Sequence, residues 1–237
     1  MIPGGHFLLK SLKSMQKKQA FGMTPGKNAI WLTVNGLGMP SPFVAKIMKK
    51  KLLLHVCCAS CAVYVYQKLS VEYDVTCFFY NPNIHPRSEY ESRKKELERI
   101  AADNQWDVVY ADYDTNQWFQ LVKGHEKDPE RGERCSICFH MRLEKTFAYA
   151  KTNGFDIVTS TLSISPYKVT RQINAEGEKL SRIFGVEFLP ENFKKQDGYN
   201  KGKKMAMEMG IKHQNYCGCT YSKEEREERI QIKNDKL

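Results

Sequence analysis

The stretch Lys51-Leu52-Leu53-Leu54-His55-Val56-Cys57-Cys58-Ala59-Ser60-Cys61 contains a near-continuous apolar run that ends on a pair of cysteines. Such a run, without polar alternation, is typical of a strand buried on both faces of a parallel sheet. A helix is predicted to follow at about 60–70, with Ser60 available as its cap. Because ligands bind beyond the carboxyl ends of parallel strands, the cysteines lie where a working site is expected.

Short apolar runs alternate with helical stretches along the rest of the chain. Further strands are predicted at 75–80, 106–110, 155–160 and 186–189, and further helices at 88–104, 118–122, 135–153 and 173–184. This order predicts an α/β fold of Rossmann-like type, with a mainly parallel sheet and helices on both of its faces.

Seven of the eight cysteines fall into three tight clusters. These are Cys57, Cys58 and Cys61; Cys135 and Cys138; and Cys217 and Cys219. A chain of 237 residues can bury a sufficient core without disulfides. The clustering therefore indicates intracellular metal or redox chemistry rather than a disulfide scaffold.

The first two clusters together offer four thiolates from two loops, through Cys57, Cys58, Cys135 and Cys138. Four thiolates are the number that a cubane iron-sulfur cluster needs. They could equally hold a structural zinc ion, although an adjacent Cys-Cys pair fits the usual zinc knuckle poorly. We favour the iron-sulfur interpretation and keep zinc as the alternative.

The third cluster, Cys217-Gly218-Cys219, can close a small and strained disulfide. Because strain makes a disulfide easier to reduce, a reversible dithiol is the favoured role. Two further metal ligands are the alternative. Cys77 stands alone in an apolar run and is interpreted as a packed core residue.

A run of hydroxyl side chains from Thr159 leads to Tyr167 and Lys168, at the sheet end where a substrate would lie. Hydroxyl-rich turns are also common as simple turn chemistry. A glycine-rich phosphate loop is absent after the first strand, which argues against use of a nucleoside triphosphate.

Five motifs resemble the QueH-type epoxyqueuosine reductases, in one order from about Leu52 to Ser222. They are HVCCASC at 55–61, YNPNIHP at 80–86 with Glu89, Tyr90 and Arg93, ERCSIC at 133–138 with Arg142, SISPYK at 163–168, and QNYCGCTYS at 214–222. The resemblance implies removal of the epoxide oxygen from epoxyqueuosine at the wobble position of tRNA, and a fold of the nucleotide alpha-hydrolase type.

The same resemblance implies the roles of the cysteines. Cys57, Cys58, Cys135 and Cys138 would ligate a 4Fe-4S cluster, and Cys217 with Cys219 would form a redox-active disulfide. Cys61 matches a position that can serve one additional iron. An electron donor, not identified by the sequence, is also implied.

The chain departs from the family pattern at Ser60, where a proline is usual, and at Val169, where an asparagine is common. Neither position is a predicted ligand. Lys168, Tyr167 and Arg171 are predicted to bind substrate. The predicted phosphate-contacting surface comprises Lys168, Arg171, Lys194, Lys195, Lys201, Lys203 and Lys204.

Positive charge is concentrated at the N-terminus. The net charge is +10, and residues 1–51 hold nine lysines and no acidic side chain. Residues 1–50 are interpreted as a basic leader, either disordered or read from a start codon placed too early; 51–222 as the catalytic α/β domain; and 223–237 as a charged tail. No apolar run reaches the length of a membrane span, so we expect a cytoplasmic protein.

Two other functional classes share some of these features. An iron-sulfur tRNA sulfurtransferase would share the fold and the cysteines, but should carry the nucleotide loop that is missing here. A zinc-containing RNA-binding module would bind zinc and show no visible absorbance.

Overall fold

The computed structural model describes residues 49–235, which form five strands and seven α-helices. In chain order these are β1 Lys51–His55, α1 Ala59–Ser70, β2 Asp74–Phe79, α2 Arg87–Asn104, β3 Asp107–Tyr110, α3 Thr115–Leu121, α4 Glu133–Thr152, β4 Ile157–Ser160, α5 Thr170–Phe184, β5 Glu187–Phe188, α6 Gly198–Glu208 and α7 Thr220–Asn234. Two short 3-10 segments lie at Thr161–Ile164 and Lys195–Asp197.

All five strands are parallel and lie in the order β3-β2-β1-β4-β5. This confirms the predicted Rossmann-like α/β fold. The direction in which successive strands are added reverses between β1 and β4, which creates a crevice beyond their carboxyl ends. Cys57 follows β1 and Thr161 follows β4, and the Cys57 Sγ and Thr161 Oγ1 atoms lie 4.0 Å apart across this crevice.

Alternate residues of β1 enter two separate cores, because successive side chains of a strand point to opposite faces of the sheet. Leu52 and Leu54 pack in the core that contains residues of α1, α2 and α6. Leu53 packs in the core that contains residues of α3, α4 and α5. The prediction of helices on both faces is therefore confirmed, and Cys77 lies fully buried in the first of these cores.

The prediction that Ser60 caps α1 is wrong. The helix begins at Ala59 with Cys58 at its cap position, and no side chain caps it. The Ser60 hydroxyl instead donates a hydrogen bond to Gln214 Oε1 at 2.8 Å. This partner lies far away in sequence, so the local pattern could not reveal it.

The predicted catalytic domain has two boundaries, one with the basic leader and one with the charged tail. Residues 1–48 of the predicted leader lie outside the described residues. The predicted boundary between the domain and the charged tail, at 222, falls within the continuous helix α7. Within the part of the chain that the structure describes, no helix is both long and apolar enough to cross a membrane.

Candidate functional site

The first cysteine cluster lies where β1 gives way to α1. The sulfur atoms of Cys57, Cys58 and Cys61 all lie within 4.8 Å of one another. The Cys57 and Cys58 sulfurs are 3.7 Å apart, and both residues are buried. A turn at the end of the strand thus brings two adjacent cysteines to one side and adds Cys61 from the first helical turn.

The second cluster begins α4. Cys135 and Cys138 lie in its first two turns, three residues apart, so that they share one face of the helix. The backbone N–H of Arg131 donates to Cys135 Sγ at 3.2 Å. Cys138 is buried, whereas Cys135 is partly exposed.

The third cluster precedes α7, with Cys219 at the cap position of that helix. The thiols of Cys217 and Cys219 are both free. Together with Cys135 and Cys138 they line a small cavity of about 30 Å³, which is enough to hold at least one water molecule. The structure therefore brings the second and third clusters together.

A larger cavity of about 390 Å³ adjoins the small one. Cys57, Cys58 and Cys61 line it, and Cys217 lines both cavities. A volume of this size falls in the range of small-molecule sites. Seven cysteines from three segments therefore surround two neighbouring cavities, at the crevice that the strand order creates.

The backbone of the third cluster is held from both sides. The buried guanidinium of Arg93 donates to the carbonyls of Cys217, at 3.3 Å, and Tyr216, at 3.1 Å. The His85 N–H donates to the Gly218 carbonyl at 2.7 Å, and the Tyr216 hydroxyl donates to the His85 carbonyl at 2.6 Å. These bonds fix the position of the Cys217-Gly218-Cys219 turn.

We expect Gly218→Ala to destabilise the protein strongly. Gly218 has φ of +104°, and an added Cβ would lie 2.7 Å from Ile84 Cγ1. Backbone strain and overpacking together should lower the free energy of unfolding by about 3 kcal/mol or more. Urea unfolding measures this loss.

Gly210→Ala is the matched control. Gly210 also has a positive φ, +64°, but an added Cβ there would have no atom within 4 Å. The free energy of unfolding of this variant should fall by only about 1 kcal/mol, the cost of the left-handed backbone alone. Equal losses in the two variants would contradict the close packing around Gly218.

Positive side chains surround the cysteines. Arg142 is buried, lines the small cavity and donates from Nε to the Cys138 carbonyl at 3.2 Å. Lys168 lines both cavities. These cations favour anionic sulfur in an otherwise buried setting.

The pKa values of the cysteine thiols shift in different directions in this environment. Hydrogen bonds from Cys58 and Cys61 hold the pKa of Cys57 well below its usual value, and the charges of Lys168 and Arg142 lower it further. A hydrogen bond from Cys219, together with the charge of Lys168, likewise lowers the pKa of Cys217. Burial raises the pKa of Cys138 to about 11, although Arg142 opposes this effect.

His55 is a neutral imidazole that holds the end of β1 in place through hydrogen bonds. Burial, with the nearby charge of Arg142, lowers its pKa to about 3. The Leu162 N–H donates to Ser160 Oγ, so the Ser160 hydroxyl can donate to His55 Nδ1 at 2.9 Å. His55 Nε2–H then donates to the Tyr80 carbonyl at 3.2 Å. The ring thus ties β1 to both of its neighbouring strands.

Two of the three predicted substrate-binding residues line the cavities. Tyr167, whose residue surface is 62% exposed, and the half-buried Lys168 line both cavities. Arg171 is exposed in the first turn of α5 and is not among the residues that line either cavity. Of the predicted phosphate-contacting lysines, Lys168 and Lys203 line the larger cavity. Neither cavity is lined by the others, Lys194, Lys195, Lys201 and Lys204.

Sequence analysis missed several residues of the site. Arg93 forms an ion pair with Glu89 four residues earlier, at 2.7 Å, a spacing that usually marks an exposed helical pair. Gln214, which receives the Ser60 hydrogen bond, also lines the larger cavity. The quoted motifs included these residues, but only their burial and contacts assign them to the site.

The donor set fits an iron-sulfur group. Thiolates are the ligands of such clusters, and cations and hydrogen-bond donors around the sulfurs stabilise and tune them. The fully buried Trp118 lines the small cavity, and its Nε1–H has no hydrogen-bond partner. A buried donor without a partner is unfavourable unless a bound group accepts from it.

Known proteins resemble this chain over most of its length. A protein family described as "Epoxyqueuosine reductase QueH" matches residues 52–225. The protein named epoxyqueuosine reductase QueH from Streptococcus pyogenes serotype M1 is 37% identical over 204 residues, which cover 81% of this chain and 80% of that protein. The protein of the same name from Histophilus somni (strain 129Pt) is 43% identical over 176 residues, covering 73% and 72%.

A solved structure, the U34-tRNA thiolase NcsA from Methanococcus maripaludis with its [4Fe-4S] cluster, also shows some similarity. It is 10% identical, has a TM-score of 0.42, and covers 71% of this chain and 59% of its own.

Proposed function

Since the chain belongs to the QueH family of epoxyqueuosine reductases, we propose that it removes the epoxide oxygen from epoxyqueuosine at the wobble position of tRNA, at the cysteine-lined cavities described above. The chain is an oxidoreductase by family membership. The observation that carries the assignment of the site is the meeting of seven cysteines, from three distant segments, at two adjoining cavities.

We propose that Cys57, Cys58, Cys135 and Cys138 hold a 4Fe-4S cluster, with Cys61 available to one additional iron. The burial of three of these four cysteines and the cations Arg142 and Lys168 support this assignment, because a thiolate-bound cluster is anionic. The cluster, when bound, would transfer electrons one at a time. The sulfur contact between Cys61 and the Cys57-Cys58 pair supports its place beside the cluster.

The Cys217-Cys219 dithiol supplies the reducing equivalents that the reaction needs. Removing the epoxide oxygen as water consumes two electrons and two protons. Oxidation of two thiols to one disulfide releases two electrons and two protons, so the two half-reactions balance. An external donor must then reduce the disulfide before the next turnover.

The larger cavity is the proposed place of the modified nucleoside. Sequence-specific RNA enzymes commonly take an unstacked base against aromatic side chains. The exposed Tyr167 and the neighbouring Lys168 line this cavity. The first cysteine cluster borders it through Cys57, and the third cluster borders it through Cys217. Arg171 lies outside the cavity, so its proposed contact is with a more distant part of the tRNA. A tRNA substrate also agrees with a cytoplasmic location.

The test begins with anaerobic purification, iron and acid-labile sulfide analysis, and a nucleoside assay on tRNA that contains epoxyqueuosine. We expect roughly four or five irons per chain, from one cubane with or without an additional iron, and conversion to queuosine. Colourless protein that holds only zinc and leaves epoxyqueuosine unchanged would overturn the proposal and leave an RNA-binding module.

A further inference from the structure

Helix α7 forms one wall of the larger cavity. Six of its side chains line the cavity. They recur every three or four residues along the helix, singly or as adjacent pairs, and therefore lie on a single helical face. They are Ser222, Glu225, Arg226, Arg229, Ile230 and Lys233. The wall therefore runs along the helix for almost its whole length.

The start of this wall is anchored to the body of the domain. Glu225 pairs with the buried Arg134 at 2.6 Å and with Arg229 at 3.2 Å. Arg226 donates to the Asn215 carbonyl at 2.7 Å. These contacts hold α7 beside the cavity and neutralise the only acidic group on its cavity-lining face.

The remaining charge on the wall is positive and continues across the cavity. Lys203 of α6 lines the same cavity as Lys233, and both lysines are exposed. Within residues 49–235, neither lysine has a carboxylate at ion-pairing distance. Unpaired cations on two elements around one cavity mouth create a site for a polyanion.

We propose that the cavity-facing side of α7, with Lys203 of α6, binds the phosphate backbone of the RNA that carries the modified nucleoside. The inference rests on the proposed function and adds to it the residues that hold the RNA. The family match ends at residue 225, so Arg226, Arg229 and Lys233 lie beyond the matched region. An RNA is the favoured partner because its phosphates flank the nucleoside that must enter this cavity.

The test is equilibrium binding of tRNA to the full chain across a series of salt concentrations, with the double variant Lys203→Gln/Lys233→Gln. Each lost contact to single-stranded phosphate should reduce the slope of log affinity against log salt by about 0.7. Loss of both contacts should therefore reduce it by about 1.4. At about 0.1 M salt the affinity should fall roughly 25-fold, about fivefold for each contact.

Lys223→Gln is the control for loss of charge alone, because it removes one lysine from the helix that carries Lys233. Lys223 does not line the larger cavity and pairs with Glu227 at 3.6 Å. The wild-type slope should be retained in this variant. An unchanged slope in the double variant, or an equal change in Lys223→Gln, would overturn the inference and assign binding to another surface or to diffuse charge.

Turnover of the wild-type enzyme separates this inference from the function on which it rests. A wild type that converts epoxyqueuosine, with a double variant of unchanged salt slope, refutes only the role of α7. A wild type that neither binds tRNA nor converts epoxyqueuosine refutes the proposed function, and the inference with it.

Discussion

Replacing Cys217 with serine will abolish turnover and leave the iron content and visible absorbance unchanged. Serine keeps the size of the side chain but cannot form a disulfide with Cys219, so the two electrons and two protons of the dithiol are lost. We expect turnover to fall by at least about a thousandfold, as loss of a covalently acting residue does in other enzymes. Single-turnover conversion of epoxyqueuosine, with iron analysis of the same sample, measures both effects.

Two results would contradict the redox role of Cys217. Normal turnover in Cys217→Ser would show that no disulfide is needed. Loss of iron along with activity would instead identify Cys217 as a metal ligand, the alternative that the Cys-Gly-Cys spacing leaves open. The position of Cys217 on both cavities allows either contact, so iron content is the deciding measurement.

The second large effect is expected from Cys138→Ala, which should purify with little iron and no activity. Removing one of four thiolates leaves one iron of a cubane without a protein ligand. Cys138 is almost completely buried beside Arg142, so solvent cannot readily supply a replacement. Iron and sulfide analysis after anaerobic purification measures the loss.

Cys77→Ala is the matched control for this variant. Cys77 is also buried, in β2, but lines neither cavity. Both substitutions remove one buried sulfur, so their costs in packing should be similar. Iron retained in Cys138→Ala, or lost equally in Cys77→Ala, would contradict the assignment of Cys138 as a ligand.

Sequence patterns predicted the fold well because its central strands, β1 and β4, are buried on both faces. The apolar run at Leu52–Leu54 can be satisfied only by two covered faces, and the structure supplies both. The strand order was not predictable from such runs, since it depends on which crossovers place β4 beside β1. That order is what opens the crevice at Cys57.

The site was predictable in its cysteines and less so in their surroundings. Motif spacing identified Cys135 and Cys138 as one pair, and a helix indeed carries them. It could not reveal that Arg93 is buried under the Cys217 turn, because its Glu89 partner at helical spacing also fits an exposed ion pair. Contacts between distant segments decide such roles.

Helix α7 shows the same limitation. Its sequence is dominated by charged residues, with few apolar ones to mark a buried face. The pattern therefore predicted only a charged tail from 223. Contacts with the body of the domain place this helix against the cavity, among them the pairing of Glu225 with Arg134 across 91 positions of sequence.

The cap position of Cys219 on α7 joins the redox pair to the proposed RNA wall. Closing the proposed Cys217-Cys219 disulfide would constrain the turn from which that helix starts. Thermodynamic linkage makes any resulting effect reciprocal: a change in RNA affinity on oxidation requires an equal free-energy shift in the reduction of the pair when RNA is bound. For a two-electron couple, a tenfold affinity difference corresponds to about 30 mV. Titrating the pair with and without tRNA would therefore reveal how far the substrate itself sets the reducing power used on it.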